Sequence, residues 1–252
     1  MKQFKAKIIC NKKIAHNHHV LAFRMPNSAK KANPGQFFNV KIGGSYDPLL
    51  RRPFGAYKIS SSKIEILYKV VGKATRILSE RNPGEMLDIL GPLGNGFDIK
   101  SLLSLGNSSI ALVAGGHGVA PLYALAKSLK TFGLKISVFI GASNKKYIVC
   151  DDDFKRLGLK VYVATEDGSK GHKGLVTDLL KRGCSICACG PKPMLKAVAE
   201  LSNKYKTYCQ VSMEEYLGCG IGICMGCAIK TRLGNKLVCK DGPVFNAKEI
   251  IW

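Results

Sequence analysis

The chain is 252 residues long, 46% hydrophobic and 22% charged, a length above the commonest domain size and an apolar content that excludes an intrinsically disordered chain. Its formal charge of +22 is carried by 31 Lys and 8 Arg spread along the whole sequence, with no basic helix and no aromatic-interleaved strand, so a Lys-rich surface suited to anionic ligands or an acidic partner is expected and a nucleic-acid partner is not. There is no run of 18 apolar residues, and MKQFKAKIIC has no signal-peptide core, so the expectation is a soluble cytoplasmic protein without a membrane partner, whose ten cysteines bind metal or lie buried instead of forming a secreted disulfide framework.

Residues 1–100 read as short strands, among them KAKII, HVLAFRM, QFFNVKI, YKISSS and KIEILYKVV, broken by turn signals such as NPGQ and GGSYDP. Little helical periodicity and much Pro and Gly punctuation predict a small β-barrel domain. The HNHH run at 16–19 is expected in a solvated loop. DPLLRRPFGAYKI places Arg51 and Arg52 ahead of a proline and an aromatic, a surface pair by composition, yet a combination able to hold a pyrophosphate beside an apolar wall for a flat ring. In YKVVGKATRIL a strand ends at a glycine and a helix starts, with Thr75 available as a cap or a phosphate donor.

From about residue 107 the rhythm changes to strand and helix in turn: SIALVA, a helix after GGHG, KISVFIGAS, KVYVAT, a helix over GLVTDLLKRG, SICACG, and a helix over KPMLKAVAELSNKY. This alternation predicts a doubly wound parallel sheet over 101–208. LVAGGHGVAP joins strand to helix where a dinucleotide pyrophosphate meets a helix N-terminus, but GGxG is short of the full fingerprint and a ligand-free tight turn stays open. No acidic residue stands clearly at the ribose position, and His117 reads as an incidental loop residue.

Residues 209–252 lose the alternation and are expected to form a small separate module. Cys219, Cys224 and Cys227 form CxxxxCxxC, and Cys239 follows after eleven intervening residues. That spacing is the plant-type [2Fe–2S] ligand pattern, and Gly218, Gly220, Gly222 and Gly226 let the loop bring backbone N–H groups to the sulfurs. Four thiolates also suit zinc, although structural zinc sites usually pair two short knuckles where this sequence has one. Of Cys10, Cys150, Cys184, Cys187, Cys189 and Cys209, which lie mostly in strand-like runs, most read as buried small hydrophobes.

Taken in order, RRPFG, YKVVGKAT, GPLGNGF, LVAGGHGVAP, CACGPKPML, CGIGICMGC and VCKDGPVFNAKEIIW resemble the ferredoxin–NADP reductase superfamily and, within it, the electron-transfer subunits of two-subunit, NAD-linked dihydroorotate dehydrogenases. The resemblance spans nearly the whole chain. It implies an FAD-binding β-barrel over 1–100, an NAD-binding α/β domain over 101–208 and a [2Fe–2S] module over 209–252. Arg51, Arg52, Pro53, Phe54, Gly55, Tyr68, Lys69, Val70, Ala74 and Thr75 would then hold FAD. Gly115, Gly116, Gly118, Val119, Ala120, Pro121, Cys189, Gly190 and Pro191 would face the nicotinamide nucleotide, and Cys219, Cys224, Cys227 and Cys239 would hold the cluster. Gly55 stands where the family usually offers a hydroxyl and Ala74 where it usually has glycine.

The implied function is a relay in pyrimidine biosynthesis. An FMN-containing dihydroorotate dehydrogenase catalytic subunit feeds electrons through the cluster and FAD to NAD+, in a heterotetramer, with no side-chain acid or base needed in this chain. The rivals are a similar small subunit of a ferredoxin:NADP transhydrogenase or a sulfhydrogenase, a zinc-stabilised binding module, and a nucleic-acid binder.

Overall fold

Alternating apolar residues between Pro and Gly turns can bury one face each only by pairing, and the first strands close on one another to do so. In the computed structural model, which describes residues 2–26, 31–44, 46–106 and 109–252, they are β1 (Lys2–Ala15), β2 (His18–Arg24), β3 (Phe37–Lys41), β4 (Arg52–Ile59), β5 (Lys63–Lys69) and β6 (Met86–Leu93). They form a closed barrel in the order β1-β2-β5-β4-β3-β6. Phe23 and Phe38 meet edge to face at 5.4 Å inside it, among Ile8, Leu21, Ile64, Ile66, Leu87 and Ile89. Helix α1 (Lys73–Ser79) packs on this core through Ala74 and Leu78. Ser45, inside the GGSYDP turn signal, lies outside the described residues.

A linker carrying α2 (Ile99–Ser104) leads into β7 (Ser109–Gly115), α3 (Val119–Lys130), β8 (Lys135–Ala142), α4 (Asp151–Arg156), β9 (Lys160–Thr165), β10 (His172–Lys173), β11 (Ser185–Cys189), α5 (Lys192–Lys204) and β12 (Cys209–Ser212). The strands lie parallel in the order β10-β9-β8-β7-β11-β12, the doubly wound arrangement expected from strand–helix alternation. The helix expected over GLVTDLLKRG is instead one 3-10 turn, Val176–Leu179. Gly174 at φ +141 and Gly183 at φ +90 bound it, and Val176 must sit directly against Gly141, where a Cβ would come within 2.8 Å.

The C-terminal hairpin of β13 (Ala228–Thr231) and β14 (Gly234–Leu237) forms its own small sheet, but β15 (Val244–Asn246) runs antiparallel to β12 at the edge of the large one. The sequence division at 208/209 therefore falls before two strands of the α/β sheet and not between sheets. The HNHH run is placed only in part as expected: His16 and Asn17 are exposed in a turn, whereas His18 and His19 open β2, where His18 is 2% exposed and lies opposite Lys69 of β5.

Candidate functional site

The cysteine loop is shaped by the backbone. Gly220 takes φ +72 with Asn39 Nδ2 where a Cβ would go, and Asn39 itself donates to the Cys219 carbonyl at 3.3 Å, fastening the loop to the barrel. Ile221, Ile223 and Cys224 each turn an N–H toward Cys219 Sγ at 3.4 Å. Gly222 donates to Cys239 Sγ at 3.1 Å, Cys239 to Cys227 Sγ at 3.4 Å and Cys219 to Cys224 Sγ at 3.5 Å. Burial pushes the Cys219 thiol up, but those N–H groups outweigh it and bring the thiol down to about 6. Cys239 goes the other way, to about 12, through burial and the neighbouring Cys227. Cys227 and Cys239 are buried while Cys224 is exposed.

Among the described residues no three His, Cys, Asp or Glu side chains are gathered tightly enough to hold one metal ion; these four free cysteines lie as two hydrogen-bonded pairs, Cys219 with Cys224 and Cys239 with Cys227. Two thiols on each of two irons is the donor set of a [2Fe–2S] cluster, and N–H groups aimed at sulfur fit its charge.

Next to the loop is a cavity of about 360 Å³ walled by Arg52, Pro53, Phe54, Gly55, Tyr68, Lys69 and Thr75 from the barrel. Phe54 and Tyr68 meet edge to face at 5.8 Å, Tyr68 donates its hydroxyl to Asn11, and Thr75 accepts from the Val71 and Gly72 N–H groups, capping α1. An aromatic wall, an arginine and a capped helix start fit a flavin dinucleotide. Arg51 turns away into an ion pair with Asp88 at 3.0 Å, while Val70 and Ala74 pack on the barrel core and do not line the cavity. Ala120, Pro121 and Cys189, expected at the nicotinamide nucleotide, line this cavity instead.

A second cleft, of about 680 Å³, opens at the C-terminal ends of the parallel strands, where ligands bind in such sheets. Gly115, Gly116 and Pro191 line it as expected. Gly118 and Gly190 serve the packing behind it. A Cβ on Gly118 would strike the Cys189 carbonyl at 2.2 Å and one on Gly190 would strike Gly115 at 2.9 Å, and Val119 is fully buried in the core. Lys69 and His117 line both cavities, so the two adjoin. Lys69 Nζ lies 4.7 Å over the Tyr147 ring, and His117 Nε2 stands 3.8 Å from Glu214 of the C-terminal segment.

Sequence reasoning missed His18, Tyr147, Glu166 and Thr177 in this cleft. Glu166 and Thr177 follow β9 and lie in the 3-10 turn, so the rule that sites gather beyond the carboxyl ends of parallel strands would have found them; no local motif marks them.

Family models match three consecutive stretches: an oxidoreductase FAD-binding domain over residues 5–97, an oxidoreductase NAD-binding domain over 112–200, and the iron–sulfur cluster binding domain of dihydroorotate dehydrogenase B over 214–251. The electron transfer subunit of dihydroorotate dehydrogenase B (NAD+) from Desulforamulus reducens is 38% identical over 100% of this chain and 99% of its own. Its counterpart from Caldanaerobacter subterraneus subsp. tengcongensis is 40% identical over 99% of each. Among solved structures, a chain of an NADH-dependent reduced ferredoxin–NADP oxidoreductase, studied for flavin-based electron bifurcation, superposes with a TM-score of 0.84 at 31% identity, covering 98% of this chain and 90% of that one. Phthalate dioxygenase reductase shares the fold, with a TM-score of 0.68 at 16% identity over 91% and 87%.

Proposed function

The chain belongs to the family of dihydroorotate dehydrogenase B electron-transfer subunits, and on that basis we propose that it passes electrons from a dihydroorotate-oxidising FMN subunit to NAD+ in pyrimidine biosynthesis. The observation that carries this reading is contiguity. Val238, next to Cys239, and Leu217, two residues before Cys219, line the flavin cavity, and Lys69 and His117 line both that cavity and the nicotinamide cleft. A bound flavin exchanges single electrons with an iron–sulfur cluster and a hydride with a nicotinamide, so it belongs between the two.

The residues supply placement, charge and exclusion of water. Cys219 and Cys224, with Cys227 and Cys239, hold the cluster. Arg52 offers its guanidinium to the pyrophosphate, Phe54 and Tyr68 present an apolar wall to the ring, and the Thr75 cap fixes the start of α1 beside it. Gly115, Gly116 and Pro191 let the nicotinamide nucleotide lie against backbone. Glu166 in the cleft is an acceptor for a ribose hydroxyl and repels a 2′-phosphate, which supports NAD over NADP. The exposed Ile223, Cys224 and Met225 at the loop tip give the catalytic subunit a surface over the cluster, in an assembly read as a heterotetramer in the cytoplasm. Among the described residues no helix is long and apolar enough to cross a membrane.

The test is to purify the chain with a dihydroorotate-oxidising subunit and follow NAD+ reduction. Dihydroorotate-dependent NADH formation by the complex, and by neither part alone, is expected. The 31% identity to the reduced ferredoxin–NADP oxidoreductase chain favours one second reading, a small subunit of such an enzyme. Reduction of NADP+ by reduced ferredoxin in the same preparation, without dihydroorotate activity, would establish that reading instead.

A further inference from the structure

His18 lines the nicotinamide cleft, although it comes from the barrel and from no cofactor-binding motif. Its Nδ1 lies 2.7 Å from the His16 carbonyl oxygen. A carbonyl can only accept, so Nδ1 carries the proton and the neutral ring keeps a lone pair on Nε2. Burial lowers the ring's affinity for a second proton against the pull of the His16 carbonyl, and the charges of His117, Lys69 and His16 lower it further. Nε2 has no hydrogen-bond partner among the described residues, and the side chain is 2% exposed. The histidine therefore lines the cleft with an acceptor that no donor among the described residues occupies.

Position decides what that acceptor meets. His18 lies opposite Lys69 across the β2–β5 pair, and Lys69 and His117 are the residues common to the cleft and the flavin cavity. This is the flavin end of the cleft, where the reacting ring of a nicotinamide nucleotide has to lie. The one N–H group at that end of the nucleotide is the carboxamide. We propose that His18 is a positioning residue whose Nε2 accepts a hydrogen bond from the nicotinamide carboxamide and so fixes the rotation of the ring over the flavin. The inference rests on the reading of this cleft as the nicotinamide site.

The experiment compares two oxidised nucleotides binding to the oxidised, cofactor-loaded protein, where no turnover occurs: NAD+ and 3-acetylpyridine adenine dinucleotide, in which the carboxamide NH2 is replaced by CH3. Calorimetric titration at pH 8 gives both dissociation constants for the wild type, for His18→Leu and for His18→Gln, which keeps an acceptor. The wild type is expected to prefer NAD+ by about fivefold, the worth of one neutral hydrogen bond. His18→Leu should bring the two nucleotides to parity by weakening NAD+ alone, and His18→Gln should retain part of the preference. Equal weakening of both nucleotides in His18→Leu, or no preference in the wild type, would overturn the proposal while leaving the nicotinamide site in place. A wild type that binds neither nucleotide would overturn the nicotinamide reading and this inference with it. Should His18→Leu not fold, the wild-type preference and its retention in His18→Gln carry the same decision.

Discussion

Gly222 donates its backbone N–H to Cys239 Sγ over 3.1 Å from a φ of +83, with Lys240 Cδ only 2.8 Å from where a Cβ would stand. Gly222→Ala therefore meets both left-handed strain and a packing conflict, and the loop must shift the N–H away from the sulfur. We expect a loss of about 1–2 kcal/mol from the backbone alone and a lower reduction potential, because N–H···S bonds favour the more negative, reduced cluster. Thermal melting and a redox titration followed by electron paramagnetic resonance check the two effects separately.

Gly55 lines the flavin cavity with nothing within 4 Å of an added Cβ and no positive φ. Gly55→Ser should fold with stability within about 0.5 kcal/mol of the parent, retain FAD and change its reduction potential by placing a hydroxyl at the ring. A melting curve and a spectroelectrochemical titration measure this. Loss of FAD from a variant that still folds would mean that close approach of the ligand, not tuning, selects glycine here.

Glu166 puts a carboxylate into the nicotinamide cleft just beyond β9. Glu166→Gln removes the charge that opposes a 2′-phosphate while keeping a group able to bond a ribose hydroxyl. NADP+ should bind about tenfold tighter, with a smaller change for NAD+. Parallel calorimetric titrations decide it, and unchanged NADP+ affinity would remove Glu166 from nucleotide selection.

Asp153 joins the two large domains, accepting the Tyr57 hydroxyl and pairing with Lys58 of β4 at 3.1 Å and with Arg156 of its own helix. Burial pushes its carboxyl up, but the Tyr57 and Lys58 hydrogen bonds and the charges of Lys58 and Arg156 outweigh it, so the carboxyl sits below its ordinary value. A depressed folded-state pKa gives stability that is present above the unfolded value, about 3.9, and lost as pH falls through the folded one. Asp153→Asn should cost about 1–3 kcal/mol at pH 7 and flatten the stability profile below about pH 4. Denaturant melts between pH 3 and 7 supply the comparison.

The gathering of Cys219, Cys224, Cys227 and Cys239 is legible because their spacing is set mostly within one short segment, and the barrel and parallel sheet are legible because periodicity survives any tertiary detail. The flavin wall was legible only in part: Arg52, Phe54 and Tyr68 line the cavity, but Arg51 was lost to Asp88 on β6, a partner 37 positions away. Ala120, Pro121 and Cys189 moved from one cavity to the other because α3 and β11 present them to the barrel. Nothing near His18 in the sequence announces that it will be buried and set opposite Lys69 across the β2–β5 pair. The 174–183 segment has helical composition, yet the demand that Val176 touch Gly141 holds it to one turn.

Iron, acid-labile sulfide, zinc and flavin per chain of protein purified without oxygen, taken with its visible spectrum, decide between a redox relay and a zinc module. About two irons, two sulfides and one FAD per chain are expected, with flavin and cluster absorption that NADH bleaches. One zinc per chain, no flavin and a colourless solution would contradict the relay.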